Sequence, residues 1–189
     1  VPGVGENQTL IALTDNKRIK NGHVVGTGYY NTWAHLLVSV PSESTAFTRH
    51  LNPEEILYIP FAHAEGRFII PDKLLNELIK NNQTVFRYCD KSGEISNQPP
   101  TNPNGSDYNL AAVSNPAGNV LAMMPHPERT NLGDKLFSSM REFIKDGCPM
   151  INNKLSYTPD KNLIEHYKPD NMATEWGIDM VITDNEAAT

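Results

Sequence analysis

The sequence predicts an α/β domain, and three observations carry that expectation. Runs rich in β-branched and aromatic residues, TWAHLLVSV at 32–40 and EILYIPFA at 55–62, read as strands. Two helical patterns stand among the strands, at 71–81 and 134–146. The composition is 39% hydrophobic and 20% charged over 189 residues, which suits one soluble domain with a sizeable core.

The elements follow in chain order. Residues 1–28 are rich in glycine and polar groups and read mostly as loop, with a short strand at 9–13. The strand at 32–40 is stopped by Pro41. In the strand at 55–62, Pro60 argues for an edge position or a bend, because it has no N–H to give a neighbour. Pro71 suits the first turn of the helix at 71–81, whose apolar face is Leu74, Leu75, Leu78 and Ile79. TVFRY at 84–88 is a short strand. Residues 91–109 have turn residues and no periodicity, and a loop of that length is usually functional or disordered. Two apolar runs then flank Asn115-Pro116-Ala117-Gly118-Asn119, the pattern of a β-hairpin. Its second arm, 120–124, leads into His126. The helix at 134–146 presents Leu136, Phe137, Met140, Phe143 and Ile144, with Gly147 at the C′ position.

Charge divides the chain. Residues 1–150 carry a net −2, and residues 151–189 a net −4 out of a total of −6. The domain is therefore expected over 1–150, with an acidic, partly docked tail over 151–189 and a short helix at 159–167. No basic face marks a nucleic-acid partner. No apolar run reaches the roughly 18 residues of a membrane span. Two cysteines, Cys89 and Cys148, are too few for a disulfide-stapled secreted domain, so the chain reads as intracellular. It opens on Val1, which is expected to lie inside a longer protein.

The stretch MMPHPER, 123–129, holds the first candidate site. Met124 and His126 each precede a proline, which predicts an extended, stiff backbone. In such a segment His126 and Glu128 lean to one side, so the acid can fix the imidazole tautomer and leave the other nitrogen as a base. A loop histidine held by a nearby acid fits the same spacing. FAHAEGRF, 61–68, places His63 and Glu65 two apart, with Gly66 suited to a turn and Arg67 to an anion; a strand end closed by an internal salt bridge fits equally. The four His and Glu residues together also allow a zinc or iron site, although neither HExxH nor a CxxC pair occurs. NPNGS, 102–106, reads as a turn in a long loop. Neither cysteine sits where a nucleophile would: Cys89 adjoins Asp90, and Cys148 follows a helix C-terminus.

FAHAEGRF, VFRYCD and NPNGSDYNLAAVSNPAGNVLAMMPHPER, in that order, resemble the amidotransferase subunits and domains of phosphoribosylformylglycinamidine synthases, within the class I glutamine amidotransferases. The likeness runs from about 27 to about 144. It implies a flavodoxin-like α/β fold with a mostly parallel sheet and helices on both sides, here without its N-terminal portion. It implies a cytoplasmic glutaminase that feeds ammonia to a large synthase subunit, with a small accessory subunit in the complex. That partner uses ATP and magnesium to convert formylglycinamide ribonucleotide to formylglycinamidine ribonucleotide; the amidotransferase subunit itself holds no cofactor or metal. On this resemblance His126 is the catalytic histidine and Glu128 the acid that orients it. His63, Glu65 and Arg67 lie near the substrate or on the partner surface.

The chain departs from that family in three places. The cysteine elbow of the first half has no match, so the nucleophile is expected outside these residues and the chain alone is expected to be inactive. Thr32 stands where relatives carry arginine. Residues 151–189 match nothing in the family. Two other readings remain: a non-catalytic amidotransferase-like module that binds a synthase subunit, and a His/Glu metal hydrolase.

Overall fold

A computed structural model describes residues 11–149 and 151, and the chain enters that region through three short strands, β1 (Ala12–Asp15), β2 (Lys17–Lys20) and β3 (His23–Thr27). The expected loop is thus largely strand. β2 and β3 form a hairpin in which Lys20 faces His23, and Asn21 and Gly22 between them take φ of 51° and 79°. Positive φ at both central residues is the requirement of a type I′ turn, which Asn-Gly meets at low cost. No residue of the hairpin is buried, so it carries no alternation of apolar and polar residues for the sequence to display.

Tyr30–Val38 forms β4 and Ile56–His63 forms β5, each close to its expected span. They pair along eight residues, from Tyr30 opposite His63 to Leu37 opposite Ile56. Glu65–Ile69 adds β6, a strand the sequence reading did not expect. After it come the helix α1 (Asp72–Lys80), β7 (Phe86–Cys89), β8 (Leu110–Ser114), β9 (Leu121–Met123) and the helix α2 (Asp134–Lys145). Among the described residues the main sheet runs β5-β4-β7-β8-β9. Pro60 therefore lies on an edge strand, as its missing N–H requires.

Every registered strand pair among the described residues is antiparallel, which corrects the expected mostly parallel sheet. A parallel pair needs a crossover, usually a helix, between two strands of one sheet. Here α1 connects β6, which pairs with β1, to β7, which belongs to the main sheet. β8 and β9 are joined by the expected hairpin turn, with Gly118 at φ 68°.

One face of the main sheet is the core. Leu36 and Val38 pack there with Ile59, Phe61, Phe86, Tyr88 and Leu136 of α2, all buried. The helices bury narrower stripes than their sequences imply. α2 turns Leu136, Ser139 and Phe143 inward, while Phe137 and Ile144 are exposed. Ser139 earns that place through hydrogen bonds: its hydroxyl donates to the Lys135 carbonyl at 2.8 Å and accepts the His50 N–H at 2.9 Å. In α1, Pro71 is the N-cap rather than a first-turn residue, and Ile79 is exposed. No helix among the described residues is long and apolar enough to cross a membrane. The expected tail and the helix at 159–167 lie outside the described residues.

NPNGSD proves more than a turn. It runs along the edge of β6 that β1 leaves open. Asn104 Nδ2 donates to the Gly66 carbonyl at 2.9 Å, Ser106 Oγ accepts the Phe68 N–H at 3.1 Å, and Asp107 Oδ2 accepts the Ile70 N–H at 2.9 Å. Side chains thus satisfy every second residue of a strand edge, where another strand would otherwise be needed. Gly105, at φ 77°, sits so close to the Lys17 carbonyl that a Cβ would collide with it. Asn104→Ala leaves the buried Gly66 carbonyl without its donor and is expected to cost about 2–3 kcal/mol in urea unfolding. A loss within experimental error would show that the edge does not depend on this loop.

Candidate active site

Three main-chain contacts set the position of His126. The Met124 N–H donates to the Ala111 carbonyl at 3.0 Å, which extends the β8–β9 hairpin. The His126 N–H then donates to the Pro60 carbonyl at 2.8 Å, which pins the segment to the free edge of β5. Beyond it the Arg129 N–H returns to the His126 carbonyl at 3.2 Å. Pro127–Arg129 is a single 3-10 turn, so the path is not extended through Glu128 as the proline spacing implies. Proline opens that turn without losing a needed N–H.

The turn brings the acid to the base all the same. His126 Nδ1 lies 2.8 Å from Glu128 Oε1. Slight burial works to raise the Glu128 carboxyl, but its own backbone N–H, the His126 ring and Arg129 outweigh it and hold it below the ordinary carboxylate value. An ionised carboxylate only accepts, so Nδ1 carries the hydrogen and Nε2 is left with a lone pair. Arg129 Nε stands 3.6 Å from the same carboxylate oxygen. The His126 side chain is 30% exposed.

His63 lies beside this pair. It closes β5, and its ring packs 4.8 Å from that of Phe61. Gly66 makes no positive-φ turn; its role is space, because a Cβ there would strike the His63 ring. Both ring nitrogens are shielded from solvent and have no hydrogen-bond partner. Burial first, and the neighbouring His126 charge second, lower His63 to about 4. Asn16, fully buried, supports this strand end: its Nδ2 donates to the carbonyls of His63, at 2.6 Å, and Gly28, at 3.0 Å. The sequence reading passed over Asn16 because it lies in the stretch taken for loop.

Glu65 and Arg67 go elsewhere. Glu65 is exposed at the start of β6. Arg67 Nε donates to the Gly105 carbonyl at 2.8 Å, and its side chain lines a cavity of about 470 Å³ with Asp72, Gln98, Asn102, Asp107 and Tyr108. Neither His63 nor His126 lines that cavity. FAHAEGRF is thus split, its histidine toward the candidate pair and its arginine toward the NPNGSD loop.

The cysteines do not complete a triad among the described residues. Cys89 is buried, and burial, followed by Asp90, pushes its thiol up to about 11 against the opposing pull of Arg87. Cys148 is exposed, past the end of α2. The metal reading finds no support in geometry: among the described residues no three His, Cys, Asp or Glu side chains gather where they could hold an ion.

Comparison with known proteins gives a consistent picture. A family described as the CobB/CobQ-like glutamine amidotransferase domain matches residues 12–153. The phosphoribosylformylglycinamidine synthase subunit PurQ of Methanothrix thermoacetophila is 41% identical over 153 residues, covering 72% of this chain and 58% of that protein. The subunit of the same name from Aquifex aeolicus is 46% identical over 99 residues, covering 52% and 42%. The chain spans about half the length of the curated relatives it matches. Among solved structures, PurLQS from Thermotoga maritima matches with a TM-score of 0.52 and 28% identity, over 70% of this chain and 52% of that one.

The lowered His63 has a consequence for stability. Between its folded value of about 4 and the ordinary 6.5, the unfolded chain binds a proton that the folded protein refuses. Its contribution is whole above that window and is lost as pH falls through it. Wild-type stability, followed by urea unfolding, is therefore expected to fall more steeply from pH 6.5 to 4 than that of His63→Phe. Parallel curves would contradict the placement of His63.

Proposed function

The chain belongs to the CobB/CobQ-like glutamine amidotransferase domain family, and from that premise we propose that it carries the base and the orienting acid of a glutaminase. The observation that supports this reading most is the 2.8 Å contact of His126 Nδ1 with Glu128 Oε1, inside the matched region and open to solvent at the histidine. The names of the curated relatives extend the reading to phosphoribosylformylglycinamidine synthase. The ammonia would then serve a synthase subunit that converts formylglycinamide ribonucleotide to formylglycinamidine ribonucleotide with ATP and magnesium. The solved relative, titled PurLQS, supports a synthase-subunit partner, and a small accessory subunit is part of the same proposal.

The chemistry follows from the geometry of the pair. A cysteine thiol, supplied by a segment outside the described residues, gives its proton to His126 Nε2. The thiolate attacks the carboxamide carbon of glutamine. The tetrahedral intermediate collapses as His126 returns that proton to the leaving nitrogen, and ammonia departs from a thioester. Water then gives a proton to His126 Nε2 and adds to the thioester carbon, and glutamate is released as the C–S bond breaks and His126 returns that proton to the thiolate. Glu128 keeps the proton on Nδ1 and balances the imidazolium that forms twice in the cycle. His63 belongs to this site, while Glu65 and Arg67 fit the surface that meets the partner. Among the described residues neither Cys89, buried with a raised thiol, nor the exposed Cys148 completes a triad with this pair, so the thiolate is assigned to another segment.

A glutaminase assay tests the proposal. In the complete amidotransferase, His126→Gln is expected to lower kcat by roughly 10²–10⁴-fold with little change in KM. The chain alone is expected to release no ammonia above the blank. Ammonia release by the chain alone, abolished by Cys89→Ala or Cys148→Ala, would overturn the assignment of the nucleophile to another segment.

A further inference from the structure

Successive residues of a strand point to opposite faces, so β6 serves two places at once. Gly66 leaves room for the His63 ring, while Arg67, the next residue, lines the cavity of about 470 Å³. The charges that border this cavity are unpaired. Arg67 gives Nε to the Gly105 carbonyl at 2.8 Å, and among the described residues its two terminal nitrogens have no partner. Asp107 Oδ2 accepts the Ile70 N–H at 2.9 Å, which leaves Oδ1 free. Asp72, two residues after Ile70 at the start of α1, makes no hydrogen bond or ion pair among the described residues. One guanidinium and two carboxylates thus border one space, and no ion pair among the described residues joins them. Ile19, Ile70 and Leu75 add an apolar wall. Tyr108 closes another side at φ 57°, a left-handed backbone that a bulky residue rarely takes. Arg87 holds it there: its Nε donates to the Tyr108 carbonyl at 2.9 Å, and its guanidinium lies 3.6 Å from the centre of the Tyr108 ring. Backbone strain held in place by neighbours in this way gathers at ligand clamps.

We propose that this cavity binds a free α-amino acid with an apolar side chain. Its carboxylate meets the Arg67 guanidinium, its ammonium meets Asp72 and Asp107, and its side chain lies against Ile19, Ile70 and Leu75. The match is one of charge. A guanidinium takes a carboxylate through two parallel bonds, and Arg67 has the free N–H groups for them. An ammonium has three donors and no acceptor, and the two acids offer it acceptors. Asp107 is fixed to the Ile70 N–H and Asp72 follows two residues on, which makes the acids neighbours. A simple anion in this cavity would face two carboxylates, and a simple cation would face the guanidinium. A ligand that carries both signs satisfies the whole wall, and the α-amino acid is the small zwitterion that also offers an apolar group. The inference is independent of the glutaminase reading and gives Arg67 a small ligand besides the partner surface proposed for it.

Isothermal titration of the complete amidotransferase with L-leucine tests the site. One L-leucine per chain is expected, with a Kd below about 1 mM. Arg67→Met and Asp72→Asn are each expected to weaken binding about tenfold, the scale of one charge-assisted contact. Asp72 is exposed on the first turn of α1, so Asp72→Asn keeps the test decisive even if Arg67→Met disturbs the loop that Arg67 holds. 4-Methylpentanoate has the carboxylate and the side chain but no ammonium, and it is expected to bind at least about tenfold more weakly than L-leucine. No saturable binding up to about 10 mM L-leucine would overturn the proposal. So would binding that both substitutions leave unchanged, or equal affinity for 4-methylpentanoate. The readout is binding, so it holds whether or not the protein hydrolyses glutamine.

Discussion

The hydrogen bond from the His126 N–H to the Pro60 carbonyl is the joint on which the site hangs. β5 is the edge of the main sheet, so its outward carbonyls have no strand to accept from. Pro60 has no N–H, which keeps another strand from zipping along that edge and leaves its carbonyl to a single incoming donor. The hairpin β8–β9 lies at the opposite edge of the same sheet, and the segment after it returns to Pro60. His126 thereby reaches the strand that ends in His63, three residues past Pro60. One main-chain bond thus brings together two motifs that are about sixty residues apart in the chain.

From that joint the electrostatics follow in layers. Glu128 is half exposed, on a turn that fixes its distance to the imidazole without burying its charge. An ion pair between Glu128 and a protonated His126 therefore needs no costly desolvation of the acid. His63 is the opposite case, an imidazole whose nitrogens are walled off and which refuses a proton. Two histidines side by side thus have different duties, because one has an acid partner and solvent while the other has neither. Gly66 permits the arrangement by leaving room for the inner ring.

The strands that were legible in the sequence are those whose two faces see different surroundings. β4 alternates inward Ala34, Leu36 and Val38 with outward residues, and the β-branched and aromatic residues that suit such a strand, stopped by Pro41, announced it. β2 and β3 have no buried face, so their residues show no pattern, and only Asn21-Gly22 marked the hairpin. β6 was hidden because its edge is completed by side chains of a distant loop, a contact that no local signal encodes. The helical stripes were drawn too wide because Ser139, which the pattern ignores, is buried by its hydrogen bonds while Phe137 is not. His126 and Glu128 were legible as a pair from their spacing, although the backbone that joins them is a 3-10 turn and not the extended segment that the prolines imply. The parallel sheet came from resemblance alone, and the described strands pair antiparallel.

The central claim is that Nε2 of His126 faces a thiol while Nδ1 is held by Glu128. A crystal structure of the complete amidotransferase with glutamine bound measures it directly. The account expects a cysteine sulfur within hydrogen-bond reach of His126 Nε2, with the Nδ1 contact to Glu128 preserved. A sulfur elsewhere, with the His126 ring turned away from the bound glutamine, would contradict it.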